Sequence, residues 1–457
     1  MYRLYKNIMA LLLISCLICL LGCEKFLDEK TNKKLAIPTT LADFQALLDN
    51  PSRINYSSPV SGEISSDDYY LTDTKWNGLA SVQNRRMYVW EKDNLFASSF
   101  NDWSSVYSAI YIDNTVLQGI DGVPRSGTNA VEWDNVKGQA LYGRGNSYLE
   151  GIIIWGIAYD EATAGSDLGL PLRLNTVFSE KTKRASVRQT YELVIQDLKA
   201  SIALLPVTPL SKFRPSKPAA YGLLSRAYLS MRDYENAYKY ADSCLYLRKD
   251  ILDFNTLSFT VNFPFNVDNN TEAIYYKSMS TPPIISGVSP MVVPKSYDSF
   301  DLADLRKQVF FKKNPDNSYR FKGSYGGSYG PFSGVATNEM FLIKAECLAR
   351  KDQINESMVV LNGLLVKRWD KNKVFVPYSA GSSAEALDIV LKERRKELMM
   401  RGLRWMDIKR LNKEGANIIL TRTLNNKVYE LLPNDLRYAL PIPEDIISLS
   451  GMEQNKR

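Results

Sequence analysis

The sequence predicts an all-α fold: paired helices stacked as a repeat-like scaffold, carrying two long, loop-rich insertions. Three observations predict it. Residues 186–205 place Val187, Tyr191, Val194, Ile195, Leu198, Ile202 and Leu205 at i, i+3, i+4 spacing, the period of one helical face. Two stretches, 218–247 and 338–368, each read as a pair of helices with small residues at regular positions. Between them, residues 249–336 lose helical periodicity yet hold 15 Phe or Tyr residues, too aromatic a segment to stay unpacked.

The chain has 457 residues, 45% hydrophobic and 23% charged. That is globular composition and excludes disordered and collagen-like classes. Stacked repeats let a chain this long remain one body, because each unit contacts only its neighbours. There is no histidine. Ser-His-Asp and Cys-His triads need an imidazole base and are excluded, as are His-ligated zinc sites. Carboxylate-only chemistry survives. The five cysteines are Cys16, Cys19, Cys23, Cys244 and Cys347, neither a disulfide framework nor a zinc cluster. A charge of +7 is mild at this size and requires no anionic partner.

At the N-terminus Arg3 and Lys6 precede an uncharged stretch over residues 8–21. This has the layout of a signal peptide, too short to span a bilayer. Leu20-Leu21-Gly22-Cys23 resembles a bacterial lipobox. Residues 1–22 are therefore expected to be removed, with Cys23 becoming a lipid anchor; several acyl chains hold a protein stably on a membrane. The alternative makes Cys23 one more apolar residue. Residues 23–457 then form one body, in which 23–34 is a polar tether.

Along that body, Thr40 is placed to cap a short helix burying Leu41, Phe44, Leu47 and Leu48. Residues 50–97 lack a sustained helical period and are rich in turn formers and aromatics. A helix resumes near Trp103, and another is expected over 131–158. The clean helix at 186–205 ends at Pro206. In 218–247, Leu224, Ser225, Ala227, Tyr228, Tyr234, Ala237, Ala241 and Cys244 match the small and large positions of a tetratricopeptide repeat. Small residues let two helices approach closely, which makes Cys244 a core residue rather than a reactive thiol. Cys347 occupies the same kind of position in the second pair. Residues 383–411 form a long charged helix, expected to break at Gly402.

Four clusters could carry chemistry. Glu393-Arg394-Arg395-Lys396-Glu397 and Arg404 to Arg410 have the look of a nucleic-acid contact. Acidic residues interleave the basic ones, however, which favours structural ion pairs. Arg394 falls on the apolar stripe and needs a buried carboxylate; Glu346 is the expected partner. Gly323-Ser324-Tyr325-Gly326-Gly327-Ser328-Tyr329-Gly330 lacks the Lys-Ser/Thr of a phosphate loop. It is either a surface loop or a mobile lid presenting Tyr325 and Tyr329. Asp67-Asp68-Tyr69-Tyr70 with Trp76 offers carboxylates for hydroxyls and flat rings for sugar C–H faces; the other reading is a loop tucked onto the helices. Trp90, Trp103, Trp133, Trp155 and Trp405 are expected in the core. Asp67 with Asp68, or Asp160 with Glu161, could suggest a glycosidase pair, but adjacent carboxylates point apart and cannot face each other across a bond.

The order of these motifs resembles the SusD/RagB family of Bacteroidetes nutrient-uptake lipoproteins. The likeness starts at Cys23 with Lys25-Phe26-Leu27-Asp28. It runs through Thr40-Leu41-Ala42-Asp43-Phe44, Ser66-Asp67-Asp68-Tyr69-Tyr70 and Asn114-Thr115-Val116-Leu117 to Gly169-Leu170-Pro171-Leu172. It continues through the repeat at 218–247 and Ala345-Glu346-Cys347, where the family often has Ala-Glu-Ala. It closes on 393–410 and Tyr438-Ala439-Leu440-Pro441-Ile442-Pro443.

The resemblance implies tetratricopeptide-like pairs in a right-handed superhelical scaffold supporting a loop-built ligand surface. It implies an outer-membrane lipoprotein facing outward, with Glu24, Asp28 and Glu29 similar to an acidic export signal. It further implies a SusC-like, TonB-dependent transporter as partner, over which the protein acts as a lid. The expected chemistry is binding, usually of oligosaccharides: no catalytic residue, no metal, no cofactor and no nucleic acid. By region it points to Tyr69, Tyr70, Trp76, Tyr297, Tyr325 and Tyr329 as ligand contacts, joining Asp67 and Asp68. The competing functions are a peptide-binding adaptor, which needs a continuous concave groove, and a carboxylate-dependent glycoside hydrolase, which releases reducing ends.

Overall fold

A computed structural model describes residues 37–457 apart from Thr182 and Val288. The Cys23 anchor, the signal-like residues 1–22 and the tether at 23–34 lie outside the described residues. Helix α1 (Leu41–Leu48) begins in a capping box: the Thr40 hydroxyl accepts from the Asp43 N–H, and the Asp43 carboxylate accepts from the Thr40 N–H. Residues 50–97 break into four short helices, α2 (Pro51–Ile54), α3 (Ser61–Ser65), α4 (Asp73–Asn77) and α5 (Val82–Tyr88), with strand β1 (Tyr69–Tyr70) among them. Each is too short to show a period in sequence.

The scaffold follows: α6 (Asp102–Ile120), α7 (Ala130–Trp155), strands β2 (Leu168–Pro171) and β3 (Arg184–Ser186), α8 (Val187–Leu204), α9 (Lys217–Met231) and α10 (Tyr234–Leu247). The α7 helix stops earlier than periodicity suggests, because Gly156 turns extended. Ser186 caps α8 through a second capping box with Gln189. Arg232, in the left-handed region at φ 64°, closes α9 so that Asp233 can cap α10.

The second insertion carries β4 (Ala273–Tyr275), β5 (Met291–Val292), α11 (Pro294–Asp298), α12 (Arg306–Phe310), β6 (Phe311–Lys313), β7 (Tyr319–Phe321) and β8 (Val335–Ala336). The second helix pair is α13 (Thr337–Arg350) and α14 (Ile354–Leu365). Then come α15 (Ser383–Glu397), α16 (Arg404–Asn412), the hairpin β9 (Leu420–Leu424) and β10 (Lys427–Leu431), and α17 (Glu444–Ser450). Among the described residues all strands lie in two-stranded sheets, so the architecture is all-α. None of the described helices is long and apolar enough to cross a membrane.

Packing runs in sequence order: α6 on α7, α7 on α8, α8 on α9, α9 on α10, α10 on α13, and α13 on α14 and α15. Neighbouring helices can approach because small residues face each other; Ala219, Ala220, Ala227, Ala237, Ala241 and Cys244 are all fully buried. The two pairs are locked alike. The Ser225 hydroxyl donates to the Ala237 carbonyl, and the Ser357 hydroxyl to the Ala345 carbonyl, both at 2.8 Å. The same bond thus recurs at the same place in both helix pairs. Leu342, Leu361, Leu364 and Val390 fill the space between α13, α14 and α15, each contributing about 2 kcal/mol by leaving water. Trp90, Trp103, Trp155 and Trp405 are buried, and Trp133 is half-buried.

The Arg394–Glu346 pair expected from the helical wheel does not form. Arg394 Nε donates to Asp407 Oδ2 at 2.8 Å, while Glu346 accepts from Arg410 at 2.6 and 2.8 Å and from Arg350 at 3.1 Å. The wheel treats 383–411 as one helix. The chain instead leaves α15 at Glu397 and turns through Gly402 at φ +70°, a left-handed conformation that favours glycine. The turn re-aims α16 and brings Asp407 to Arg394. Arg394, Arg404 and Arg410 are all ion-paired, which accounts for the basic run without nucleic acid.

Candidate functional site

The two insertions are sewn together. Strand β1 pairs antiparallel with β5, Tyr69 opposite Val292 and Tyr70 opposite Met291. Side chains alternate along a strand, so Tyr69 turns into the core while Tyr70 stays half-exposed. Next to β5, α11 presents Tyr297, whose ring lies on that of Tyr319: centroids 3.6 Å apart, planes 15° apart. The Lys307 ammonium sits 4.6 Å from the Tyr297 centroid. Tyr319 begins β7, the return strand of a hairpin whose turn is set by Asn317 at φ 65°. Burial, then the nearby Asp316 carboxylate, raises the Tyr70 hydroxyl's pKa; Asp316 in turn feels Lys75. Half-exposed rings and charged groups thus share one face at the seam.

A groove of about 570 Å³ adjoins that face, lined by Val293, Lys295, Phe300, Tyr378, Arg395 and Met399 among others. A second hollow of about 320 Å³ continues past the shared Ser299, Phe300, Tyr378 and Lys396 to Trp369 and Phe375. The larger groove is mainly apolar with a few polar groups, Lys295, Glu393, Arg395 and Lys396 among them, which is how small-ligand sites are generally built; the smaller hollow is mainly polar and charged. Two of the carboxylates lining these hollows, Asp304 and Glu393, are committed to Arg306. Arg306 binds Asp304 at 2.6 Å and Glu393 at 2.6 Å. Burial would raise Glu393, but Arg306 and Lys396 outweigh it and hold it below the usual carboxylate range. An ionised, doubly paired carboxylate cannot serve as a general acid.

Beneath the seam, carboxylates of the first insertion hold the α15–α16 turn. Asp67 accepts from Arg404 at 2.6 and 3.0 Å and from Arg395 at 2.9 Å. Burial would raise it, but the two guanidiniums keep it at about 2. Asp68 accepts from the Met400 N–H at 3.3 Å, and burial raises its carboxyl. Glu63 accepts from the Gly402 N–H at 2.9 Å; burial, then the Asp68 charge, pushes it up to about 8. Among the described residues no group of three or more His, Cys, Asp or Glu is placed to hold a metal ion.

The residues singled out from sequence fall into two sets. Tyr70, Trp76, Tyr297 and Tyr329 are partly or fully accessible. Tyr70 and Tyr297 lie near the seam, while Trp76 donates to the Arg85 carbonyl and Tyr329 packs on Phe263. Asp68, Tyr69 and Tyr325 are buried, and Asp67, partly exposed, is ion-paired with Arg395 and Arg404. The lid reading of 323–330 is corrected for Tyr325. Its ring packs on Phe265 and Phe332, and its hydroxyl donates to Glu272 at 2.7 Å and accepts from Asn338 at 2.9 Å. Sequence reading missed Phe300, Tyr319 and Tyr378. The turn residues Pro315-Asp316-Asn317 could have exposed the hairpin that presents Tyr319; Phe300 and Tyr378 carry no local signal.

Stacked helix pairs with two loop-rich insertions joined at a strand pair define a tetratricopeptide-like, all-helical class of protein. Residues 25–229 match a family described as starch-binding, associating with the outer membrane, and residues 294–456 match the SusD family. The chain belongs to the SusD/RagB family. It is similar in fold to a SusD superfamily protein from Bacteroides thetaiotaomicron VPI-5482 (22% identity, 92% of this chain and 100% of that one, TM-score 0.74). It is also similar to a SusD-like carbohydrate binding protein from Bacteroides vulgatus ATCC 8482 (19%, 90% and 97%, 0.66). A SusD superfamily protein from Bacteroides fragilis aligns at 18% identity over 91% and 99%, with a TM-score of 0.71. No curated protein matches the chain by sequence.

Proposed function

We propose that this protein captures an oligosaccharide at the outer surface of the outer membrane and passes it to a SusC-like, TonB-dependent transporter. The observation that carries the reading is the seam itself: the Tyr297–Tyr319 stack and Tyr70 beside a mainly apolar groove with a few polar groups. Rings of this kind take the C–H faces of sugars, while Lys295, Arg395 and the tyrosine hydroxyls supply hydrogen bonds to ring hydroxyls. Membership of a family that includes starch-binding, outer-membrane-associated proteins supports a glycan as cargo. The paired state of Asp304 and Glu393 favours binding over hydrolysis. Cys23, Tyr70, Trp76, Tyr297 and Tyr329 remain the residues proposed for anchoring and contact.

Titration calorimetry of residues 25–457 against a panel of polysaccharides and peptides tests this. Saturable heat with one glycan and no new reducing ends is the expected result. Heat with peptides alone would replace it with the adaptor reading, and new reducing ends would replace it with the hydrolase.

A further inference from the structure

A small cavity of about 40 Å³ lies at the α15–α16 turn, distinct from the groove beside the seam. Five segments converge on it: Ser58 and Glu63 of the first insertion, Glu150 on α7, Arg226 on α9, Ser333 of the second insertion, and Arg401 in the α15–α16 turn. All other charges around it are matched. Arg226 binds Glu339 at 2.7 and 2.9 Å and gives its remaining donors to the Ser333 and Gly334 carbonyls. Glu150 accepts from Lys277 at 2.7 Å and from the Ser58 hydroxyl at 2.8 Å. Glu63 accepts from the Gly402 N–H at 2.9 Å and from the Ser66 hydroxyl at 3.3 Å, and burial, then the Asp68 charge, raises its carboxyl to about 8.

Arg401 is the exception. It is 4% exposed, and Nε and both terminal nitrogens find no acceptor among the described residues. Its guanidinium lies 4.8 Å from the Tyr325 ring centroid and 4.4 Å from that of Phe332. No carboxylate among the described residues forms an ion pair with it; nearby Glu272 is committed to Arg368 and Tyr325, and Glu339 to Arg226. An arginine stays protonated in proteins, and a buried charge requires a counter-charge and hydrogen-bond acceptors. Water could supply acceptors but no charge. The cavity exceeds the roughly 10–15 Å³ that one water needs, and a monatomic anion is of the same scale.

We propose that the cavity beside Arg401 binds a single halide-sized anion, chloride under ordinary conditions, which acts as the missing counter-ion and ties the two insertions to the α15–α16 turn. The ring faces of Tyr325 and Phe332 fix the guanidinium plane, leaving its N–H edge to face the ion. The Glu150 carboxylate that lines the cavity is already matched by Lys277 and the Ser58 hydroxyl.

The test uses the full chain. Crystals grown in bromide should show an anomalous peak in the cavity at hydrogen-bond distance from Arg401. The melting temperature should rise saturably with chloride or bromide and fall by several degrees when gluconate, too large to enter, replaces them at constant ionic strength. Arg401→Met should lose that halide dependence. Electron density for water alone, or melting indifferent to halide in the wild-type protein, overturns the proposal. Should Arg401→Met fail to fold, the bromide diffraction decides the matter by itself.

Discussion

Glu63 accepts a 2.9 Å hydrogen bond from the backbone N–H of Gly402, so the first insertion directly grips the turn between α15 and α16. The bond joins segments 339 positions apart, and it places the carboxyl group in a buried position, 1% exposed.

That placement makes stability depend on pH. Burial, then the neighbouring Asp68 charge, raises the Glu63 carboxyl from its ordinary 4.5 to about 8. Below the lower value the group is protonated in both folded and unfolded chains. As pH rises towards the upper value, the unfolded chain releases the proton and the folded chain keeps it. Stability from this group is therefore present at low pH and lost as pH rises through about 8, by on the order of a few kcal/mol. Glu63→Gln cannot ionise, so its urea-unfolding free energy should fall less across that window. A variant profile parallel to wild type would show that residue 63 is ionised in the fold.

The buried pair Arg410–Glu346 is the ion pair whose loss should cost most in the second helix pair. Both side chains are almost fully buried, so Arg410→Met strands one carboxylate oxygen of Glu346 and one of Asp407. A cost of about 3–5 kcal/mol is expected. Arg350→Met, nearer the surface, should cost less, and equal losses in denaturant melts would contradict the assignment.

Cys244 and Cys347 are fully buried, and burial raises both thiols, Cys347 to about 12. The thiolate is the reactive form. In a body of residues 25–457 neither should react with an exposed-thiol reagent until denaturant is added. Rapid native labelling would mean that the helix pairs open.

The seam and the core tyrosines should separate experimentally. Tyr297→Ala and Tyr319→Ala should weaken glycan binding, by roughly 0.5–1.5 kcal/mol or more each from the lost ring contacts, with melting little changed. Tyr325→Phe should do the reverse: it removes the hydroxyl between Glu272 and Asn338 and destabilises by about 1–3 kcal/mol. Reduced affinity in Tyr325→Phe at full stability would return the glycine-rich loop to the binding site.

The scaffold was legible because its determinants are local. The capping residue Thr40, the apolar period of α8, and the small residues of α9, α10 and α13 each act within a few positions of themselves. The site was legible only in outline. Tyr70 and Tyr297 could be singled out as aromatics in aperiodic segments, but so could Tyr325, which a hydrogen bond to Glu272 draws into the core.

What the sequence by itself determined is therefore the all-α class, the two helix pairs and the family, since helical period, caps and motif order are properties of neighbouring residues. Only the tertiary structure decided which tyrosines face outward, that Arg394 takes Asp407 and leaves Glu346 to Arg410, and that Arg401 is buried without a counter-ion among the described residues. Those outcomes depend on the β1–β5 pairing and on the left-handed turn at Gly402. Both bring together groups far apart in the chain, and the balance between burying a side chain and pairing it is struck only after they meet.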